Sequence, residues 1–201
     1  MDAVPARLRA VMEALEVRDA EDRRDGTPRG ERLRAVRPEV GELLCTLALA
    51  IGARTIVEIG TSGGYSTLWL AAAVGRTGGR VVTHEIDPAK IARASVAFAE
   101  AGVTDVVDLR PGDGLAGLAG FHADVDLVFL DAEKEAYQAF VDPITRALRP
   151  GGLLIADNLL SHAEALEGFR RAALGHPQLS GLVVPIGRGE LVAVKLPGDA
   201  D

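Results

Sequence analysis

The sequence is poor in cysteine, in aromatic residues and in long apolar runs. Its 201 residues include one cysteine, Cys45, which excludes an internal disulfide and a cysteine-rich zinc site. This usage is typical of a reducing compartment, so we expect a cytoplasmic location. Gly, Arg or Asp interrupts each apolar run before it reaches the length of a membrane span, and the charged N-terminal region lacks the apolar core of a signal peptide. We therefore expect no membrane partner.

The overall composition is that of an ordinary globular protein. Hydrophobic residues make up 48% of the chain and charged residues 25%, which excludes a disordered or collagen-like chain. The length favours one hydrophobic core, and we predict a single domain over residues 1–201.

The net charge is negative and unevenly distributed. The formal charge of −7 combines nine arginines and eight acidic residues in 1–37 with a net −8 over 38–201. An acidic body does not favour nucleic acid, although the arginine-rich stretch 23–37 leaves a weak local site open. Lysine is scarce, and the 22 basic residues include only Lys90, Lys134 and Lys195.

Two N-terminal helices precede a regular alternation of strands and helices. Apolar periodicity and capping signals predict helices over 5–22, 38–52, 64–74, 87–101, 136–148 and 161–174, the last opened by a capping box of Ser161 and Glu164. Short apolar runs predict strands over 55–59, 81–85, 106–110, 125–130, 153–156, 182–185 and 191–196. This alternation predicts an α/β fold with a largely parallel sheet, helices on both faces and ligands at the carboxyl ends of the strands.

A glycine-rich turn follows the first predicted strand. The segment from Glu58 to Ser66 reads EIGTSGGYS, and its glycines permit close approach of a ligand to the start of the next helix. The spacing differs from the dinucleotide-binding pattern and suits a ligand without a pyrophosphate. A tight turn that binds nothing is the alternative.

Acidic residues also follow the second and third strands. Glu85 ends the second strand, where an acid commonly binds the ribose hydroxyls of a nucleoside. Asp87 is the predicted N-cap of the following helix. Asp113 either accepts a hydrogen bond from an adenine amino group or serves as a turn residue, and the sequence does not distinguish the two.

The fourth and fifth strands end in a set of oxygen ligands. Asp131 follows the fourth strand, and Asp157 and Asn158 follow the fifth. Two carboxylates and an amide suit a hard cation such as Mg²⁺, or equally Mn²⁺, which would also relieve the repulsion between the acids. The alternative is that Asp131 binds the cofactor turn while Asp157 and Asn158 cap a loop.

Over residues 35–196 the chain resembles the class I S-adenosylmethionine-dependent O-methyltransferases. It resembles most the metal-dependent group that includes catechol and caffeoyl-CoA O-methyltransferases. The resemblance rests on the segments VEIGTSGGYSTLWLA, VVTHEIDP, DLVFLDAEKEAY and LRPGGLLIADN. It implies a Rossmann-like fold with seven strands, the last antiparallel. An N-terminal helical extension over 1–37 would then precede a catalytic core over 38–196.

The resemblance also implies a role for each matched residue. The residues matched to S-adenosylmethionine binding are Glu58, Gly60, Ser62, Gly64, Ser66, Glu85, Asp113 and Asp131. Those matched to the metal are Asp131, Asp157 and Asn158, and Lys134 matches the general base. The implied activity is methyl transfer to a hydroxyl of a small catechol-like or other vicinal-oxygen acceptor.

Two departures from the family pattern leave the acceptor open. The segment between Asn158 and the last two strands is short, and no acid lies at 182–184, where the animal catechol enzymes carry one. The alternatives are a tRNA hydroxyuridine O-methyltransferase of the same fold and a non-catalytic S-adenosylmethionine-binding protein. The short wall and the two N-terminal helices also favour a homodimer.

Overall fold

A computed structural model describes residues 4–28 and 30–198, and residues 1–3, 29 and 199–201 of the predicted domain lie outside the described part. The helices are α1 (Ala6–Arg24), α2 (Pro38–Ala50), α3 (Tyr65–Thr77), α4 (Pro88–Ala101), α5 (Gly114–Leu118), α6 (Val141–Ala147) and α7 (Glu167–Leu174). The strands are β1 (Thr55–Ile59), β2 (Arg80–Glu85), β3 (Val107–Pro111), β4 (Val125–Leu130), β5 (Leu148–Ala156), β6 (Leu179–Val184) and β7 (Glu190–Lys195).

The seven strands form one sheet in the order β3-β2-β1-β4-β5-β7-β6. Strands β1 to β5 run parallel to one another, whereas β7 is antiparallel to both β5 and β6. The chain leaves β1 toward β3 and returns to β4 on the other side, so the switch point lies between β1 and β4. The predicted mostly parallel seven-stranded fold with an antiparallel last strand is confirmed.

Alternate residues of the central strands pack on opposite faces of the sheet. In β1, Ile56 joins the hydrophobic cluster beneath α2 and α3, while Val57 joins the cluster beneath α6 and α7. In β4, Phe129 and Val128 divide in the same way. Because both faces are covered, these strands read as continuous apolar runs in the sequence. Among the described residues, no helix combines the length and the apolar character needed to cross a membrane.

The predicted helix over 161–174 is confirmed only from Glu167 to Leu174, and its start at Ser161 and its capping box are wrong. The helix begins only at Glu167, and residues 160–166 form turns. The backbone N–H groups of Leu160 and Ser161 both donate to the carbonyl of Arg188, at 3.0 Å each. These two hydrogen bonds dock the segment against the β6–β7 turn.

The predicted helix over 136–148 is divided into two parts. A 3₁₀ segment covers Lys134–Phe140, and α6 follows at Val141. The sequence prediction also missed the short helix α5, whose N-cap is Asp113, and placed the start of β5 five residues too late, at 153 rather than 148. Asp87 is the N-cap of α4 as predicted, because its side chain accepts from the Ala89 N–H at 2.8 Å.

Candidate active site

One cavity of about 380 Å³ opens at the carboxyl ends of the parallel strands, within the size range of small-molecule sites. The predicted residues that line it are Gly60, Ser62, Ser66, Glu85, Asp113, Asp131 and Asn158. The other four predicted residues are not part of its lining but are close in sequence to residues that are. They are Glu58, Gly64, Lys134 and Asp157. The sequence motifs therefore converge on one site, as their positions at strand ends predicted.

The glycine-rich turn brings β1 and β4 very close together. Gly60 has φ +99°, and a Cβ atom there would lie 2.2 Å from the carbonyl oxygen of Asp131. Gly64 has φ +89° and would place a Cβ atom 2.6 Å from the ring of Phe98. Both positions need glycine, because a side chain would meet both strain and a clash.

Glu58 organises this turn from beneath. Its carboxylate is fully buried and accepts hydrogen bonds from the hydroxyls of Ser66 at 2.6 Å, Thr83 at 2.6 Å and Thr67. Burial raises the pKa of Glu58 to about 7, although the three hydroxyl bonds oppose the rise. The buried carboxylate thus ties β1 to β2 and to the first turn of α3.

Glu85 lies at the opposite end of the cavity from Asn158, at the end of β2. One carboxylate oxygen accepts from the Ser62 N–H at 2.8 Å, and the other accepts from the N–H groups of Ile86 and Asp87 at 2.9 and 3.0 Å. Three backbone donors fix the carboxylate, and its remaining lone pairs can face a ligand. Asp113 also lines the cavity, although its Oδ1 accepts from the Leu115 N–H at 2.9 Å as the cap of α5.

Asp131 and Lys134 form a buried ion pair at the other end of the cavity. The Lys134 ammonium donates to Asp131 Oδ1 at 2.8 Å, and to the Ala132 carbonyl and the Tyr137 hydroxyl at 3.0 Å each. Burial raises the pKa of Asp131, with Lys134 opposing the rise and Asp157 adding to it. Burial also raises the pKa of Tyr137, so its hydroxyl stays protonated and donates to the Leu130 carbonyl at 3.1 Å.

Asp157 and Asn158 complete this end of the site. Both are almost fully buried, and the Asn158 N–H donates to Asp157 Oδ1 at 2.5 Å. Asn158 has φ +78°, an uncommon conformation for a residue with a side chain. Its buried Nδ2 has no hydrogen-bond partner among the described residues. An amide with this uncommon conformation, at a residue that lines the cavity, indicates a functional position.

The sequence analysis missed a third acid in this group, Glu190. It is fully buried, and within the described residues neither carboxyl oxygen has a donor. Leu191 pairs with Ala156 in the antiparallel register, which sets Glu190 beside Asp157. Burial and then the charge of Asp157 raise the pKa of Glu190 to about 10. An acid after Gly189 was visible in the sequence, but only the β5–β7 register indicates its neighbour.

The segment between α1 and α2 closes one side of the cavity. Leu33, Arg34, Ala35 and Val36 line it. The Leu33 N–H donates to the buried Asp22 carboxylate at 3.0 Å, and the Ser62 hydroxyl donates to the Leu33 carbonyl. Arg34 reaches across to Glu133, with Nη1 2.7 Å from Oε1. These contacts attach the N-terminal extension to both walls of the site.

Comparisons with known proteins identify the family. The family profile described as O-methyltransferase matches residues 21–173. The chain is 44% identical over 129 residues to a catechol O-methyltransferase of Mycobacterium tuberculosis (63% of this chain, 57% of that protein). It is 35% identical over 137 residues to a catechol O-methyltransferase of Niastella koreensis (66% of this chain, 62% of that protein). The matched region is thus less than two thirds of the length of either relative.

The fold agrees with solved structures of the same kind. The O-methyltransferase of Bacillus cereus in complex with SAH superposes with a TM-score of 0.79 at 28% identity, covering 92% of this chain and 90% of that one. The family profile spans most of the present chain, including the glycine-rich turn and the acids at the ends of β4 and β5. The chain therefore belongs to the S-adenosylmethionine-dependent O-methyltransferase family.

Proposed function

We propose that the protein transfers the methyl group of S-adenosylmethionine to a hydroxyl of a small catechol-like or other vicinal-oxygen acceptor, with a divalent cation. The observation that carries this proposal is the single cavity that joins the glycine-rich turn to Asp131 and Asn158. A cofactor at the turn and an acceptor at the metal end would then lie in one enclosed space, as an in-line methyl transfer requires.

In this proposal the turn and the ends of β2 and β3 bind the cofactor. The predicted contacts are Glu58, Gly60, Ser62, Gly64, Ser66, Glu85, Asp113 and Asp131. Glu85 would receive the ribose hydroxyls on the lone pairs that its three backbone donors leave free. Glu58 would act indirectly, since its carboxylate is fully buried and bonded to the hydroxyls beneath the turn.

The donor set at the metal end fits a hard cation. Asp131, Asp157 and the Asn158 amide would supply three oxygen ligands, and Mg²⁺ or Mn²⁺ accepts this set. The excess of carboxyl groups over the single Lys134 ammonium supports the fit. Among the described residues, no group of three His, Cys, Asp or Glu side chains is placed to hold a metal, and the proposed set therefore combines two carboxylates with an amide.

Lys134 is proposed as the general base. A free phenol has a pKa of about 10, so its proton must be removed as the methyl group arrives. A bound cation would lower that pKa and orient the two acceptor oxygens. Lys134 must be a neutral amine to take this proton, and a cation bound to Asp131 would disfavour its ammonium form. Its Nζ is positioned by Asp131 Oδ1 and the Tyr137 hydroxyl, at 2.8 and 3.0 Å. Lys134→Met is therefore expected to abolish turnover while leaving cofactor binding intact.

The decisive experiment measures methyl transfer from labelled S-adenosylmethionine to a panel of catechols, with Mg²⁺ and with EDTA. The unsubstituted protein, Asp157→Ala and Lys134→Met are compared with Asp105→Ala, an exposed acid outside the cavity lining, as control. Turnover that needs metal and disappears only in the two site variants supports the proposal. Cofactor binding without methylation of any catechol contradicts it. Transfer to tRNA would then indicate the nucleic-acid alternative, and no transfer at all a non-catalytic binding protein.

The arginine-rich stretch gives little support to the tRNA alternative. Arg23 pairs with Asp19 at 2.8 Å and Arg34 with Glu133 at 2.7 Å, so part of its charge is already matched within the chain.

A homodimer, a cytoplasmic location and the division of one domain into 1–37 and 38–196 remain predictions from the sequence. Light scattering after size exclusion tests the first, and limited proteolysis tests the third.

A further inference from the structure

The turn between β6 and β7 presents an arginine to the acceptor end of the cavity. Arg188 lies between Gly187 (φ +59°) and Gly189 (φ +92°), and it lines the same cavity as Asn158. Its carbonyl accepts the Leu160 and Ser161 N–H groups at 3.0 Å each. The Gly189 carbonyl accepts the Leu159 N–H at 2.8 Å. The turn is thus fixed to the segment that directly follows Asn158, at the proposed metal end.

The guanidinium of Arg188 is not matched by an acid. It is half-buried, and the structure gives it no ion pair and no side-chain hydrogen bond within residues 4–28 and 30–198. Arg34, by contrast, lines the same cavity and pairs with Glu133. Asp131, which also lines the cavity, pairs with Lys134. Arg188 therefore carries a charge and five N–H donors that no described residue uses, at a position that lines the cavity.

We propose that Arg188 makes this site selective for acceptors that carry an anionic group, a carboxylate or a phosphate, on the molecule that bears the hydroxyls. A planar guanidinium matches both groups with two parallel hydrogen bonds. A neutral catechol would leave a half-buried arginine without a partner, whereas an anionic one satisfies it. The inference rests on the proposed function, because the acceptor is placed by the same metal end.

Binding tests the inference separately from turnover. Calorimetry measures the Kd of 3,4-dihydroxybenzoate and of its neutral amide for the protein loaded with SAH and Mg²⁺. We expect the acid to bind at least about tenfold more tightly than the amide, as a hydrogen-bonded charge pair allows. Arg188→Gln should remove this preference by weakening binding of the acid only. Arg188→Lys should retain part of it, and Arg188→Glu should favour 3,4-dihydroxybenzylamine. A 3,4-dihydroxybenzyl phosphonate distinguishes phosphate from carboxylate as the preferred anion.

The control is Arg146→Gln, which removes an exposed arginine at the end of α6, outside the cavity lining. It should keep the preference of the unsubstituted protein. Equal binding of acid and amide, no binding of either, or a preference that survives Arg188→Gln would overturn the inference. Methyl transfer to the same compounds is scored independently. A preference in binding without any turnover would contradict the proposed function while supporting the role of Arg188. Turnover without a preference in binding would support the proposed function and contradict the role of Arg188.

Discussion

Replacing Glu190 by glutamine should stabilise the protein relative to the unsubstituted one, by an amount that grows as the pH rises. Glu190 is fully buried beside Asp157, and no described residue donates to either carboxyl oxygen. Two carboxylates in contact repel each other, whereas a proton on Glu190 would turn the contact into a hydrogen bond to Asp157. Burial, and after it the charge of Asp157, favours the neutral form and raises the pKa of Glu190 to about 10. Glutamine has nearly the same shape, is always neutral and can donate to the same oxygen.

The size of the effect follows from proton linkage. The carboxyl group of Glu190 has an ordinary pKa of 4.5 in the unfolded chain and a pKa of about 10 in the folded one. Between these values the folded state binds one more proton, so the free energy of unfolding falls by about 1.4 kcal/mol per pH unit as the pH rises. This decrease in the free energy of unfolding begins above pH 4.5 and continues through neutral pH. From pH 6 to pH 8 it amounts to about 3 kcal/mol, and Glu190→Gln should abolish it.

Urea denaturation of both proteins at pH 6, 7 and 8, in EDTA so that no cation alters the charges, measures this difference. Glu58 and the other titrating groups are common to both proteins, so the gap between them isolates Glu190. Glu100→Gln, at an exposed position of α4, is the matched control and should follow the unsubstituted protein. A gap that stays constant across the three pH values would refute the reasoning, because a packing difference between the two side chains does not vary with pH.

Three further substitutions test the framework that holds the site. Asp126→Asn should lower the free energy of unfolding by about 1–3 kcal/mol in urea denaturation. The carboxylate accepts hydrogen bonds from the backbone N–H groups of Arg54 and Thr55, and from the Arg149 Nε at 2.5 Å. Gly60→Ala should cost at least about 3 kcal/mol or prevent folding, since it adds strain at φ +99° to a clash with the Asp131 carbonyl. Asp113→Ala should cost about 1 kcal/mol and speed amide hydrogen exchange in α5, which loses its N-cap.

The sequence predicted the site wherever a residue directly follows a strand. The sequence places Glu85, Asp131 and Asn158 at one edge of the sheet, because the parallel strands of a right-handed α/β fold end at the same side. The glycines of the turn were predicted for the same reason. Apolar runs fix the strands, and the residues after them are then placed by topology rather than by long-range contacts.

Residues that depend on pairing between distant segments were not predicted. Glu190 and Arg188 come from the β6–β7 turn, and their neighbours follow from the antiparallel register of β7 against β5. Arg34 comes from the N-terminal extension, which reaches across the cavity to Glu133. The segment 160–166 carries a helix signal but forms turns, and the N–H groups of Leu160 and Ser161 dock it on the Arg188 carbonyl. Local propensity is weak, and a tertiary contact overrides it.

The sequence by itself therefore determined the order of the elements, the sheet type and the acids at its edge. Each of these follows from patterns within a few neighbouring residues and from the fixed handedness of the chain. Only the tertiary structure decided which ionisable groups lie together. Lys134 meets Asp131 and Glu190 meets Asp157, whereas Arg188 has no acid as a partner among the described residues. Pairing of charges depends on distances of a few ångströms between segments far apart in the chain, and no local pattern encodes those distances.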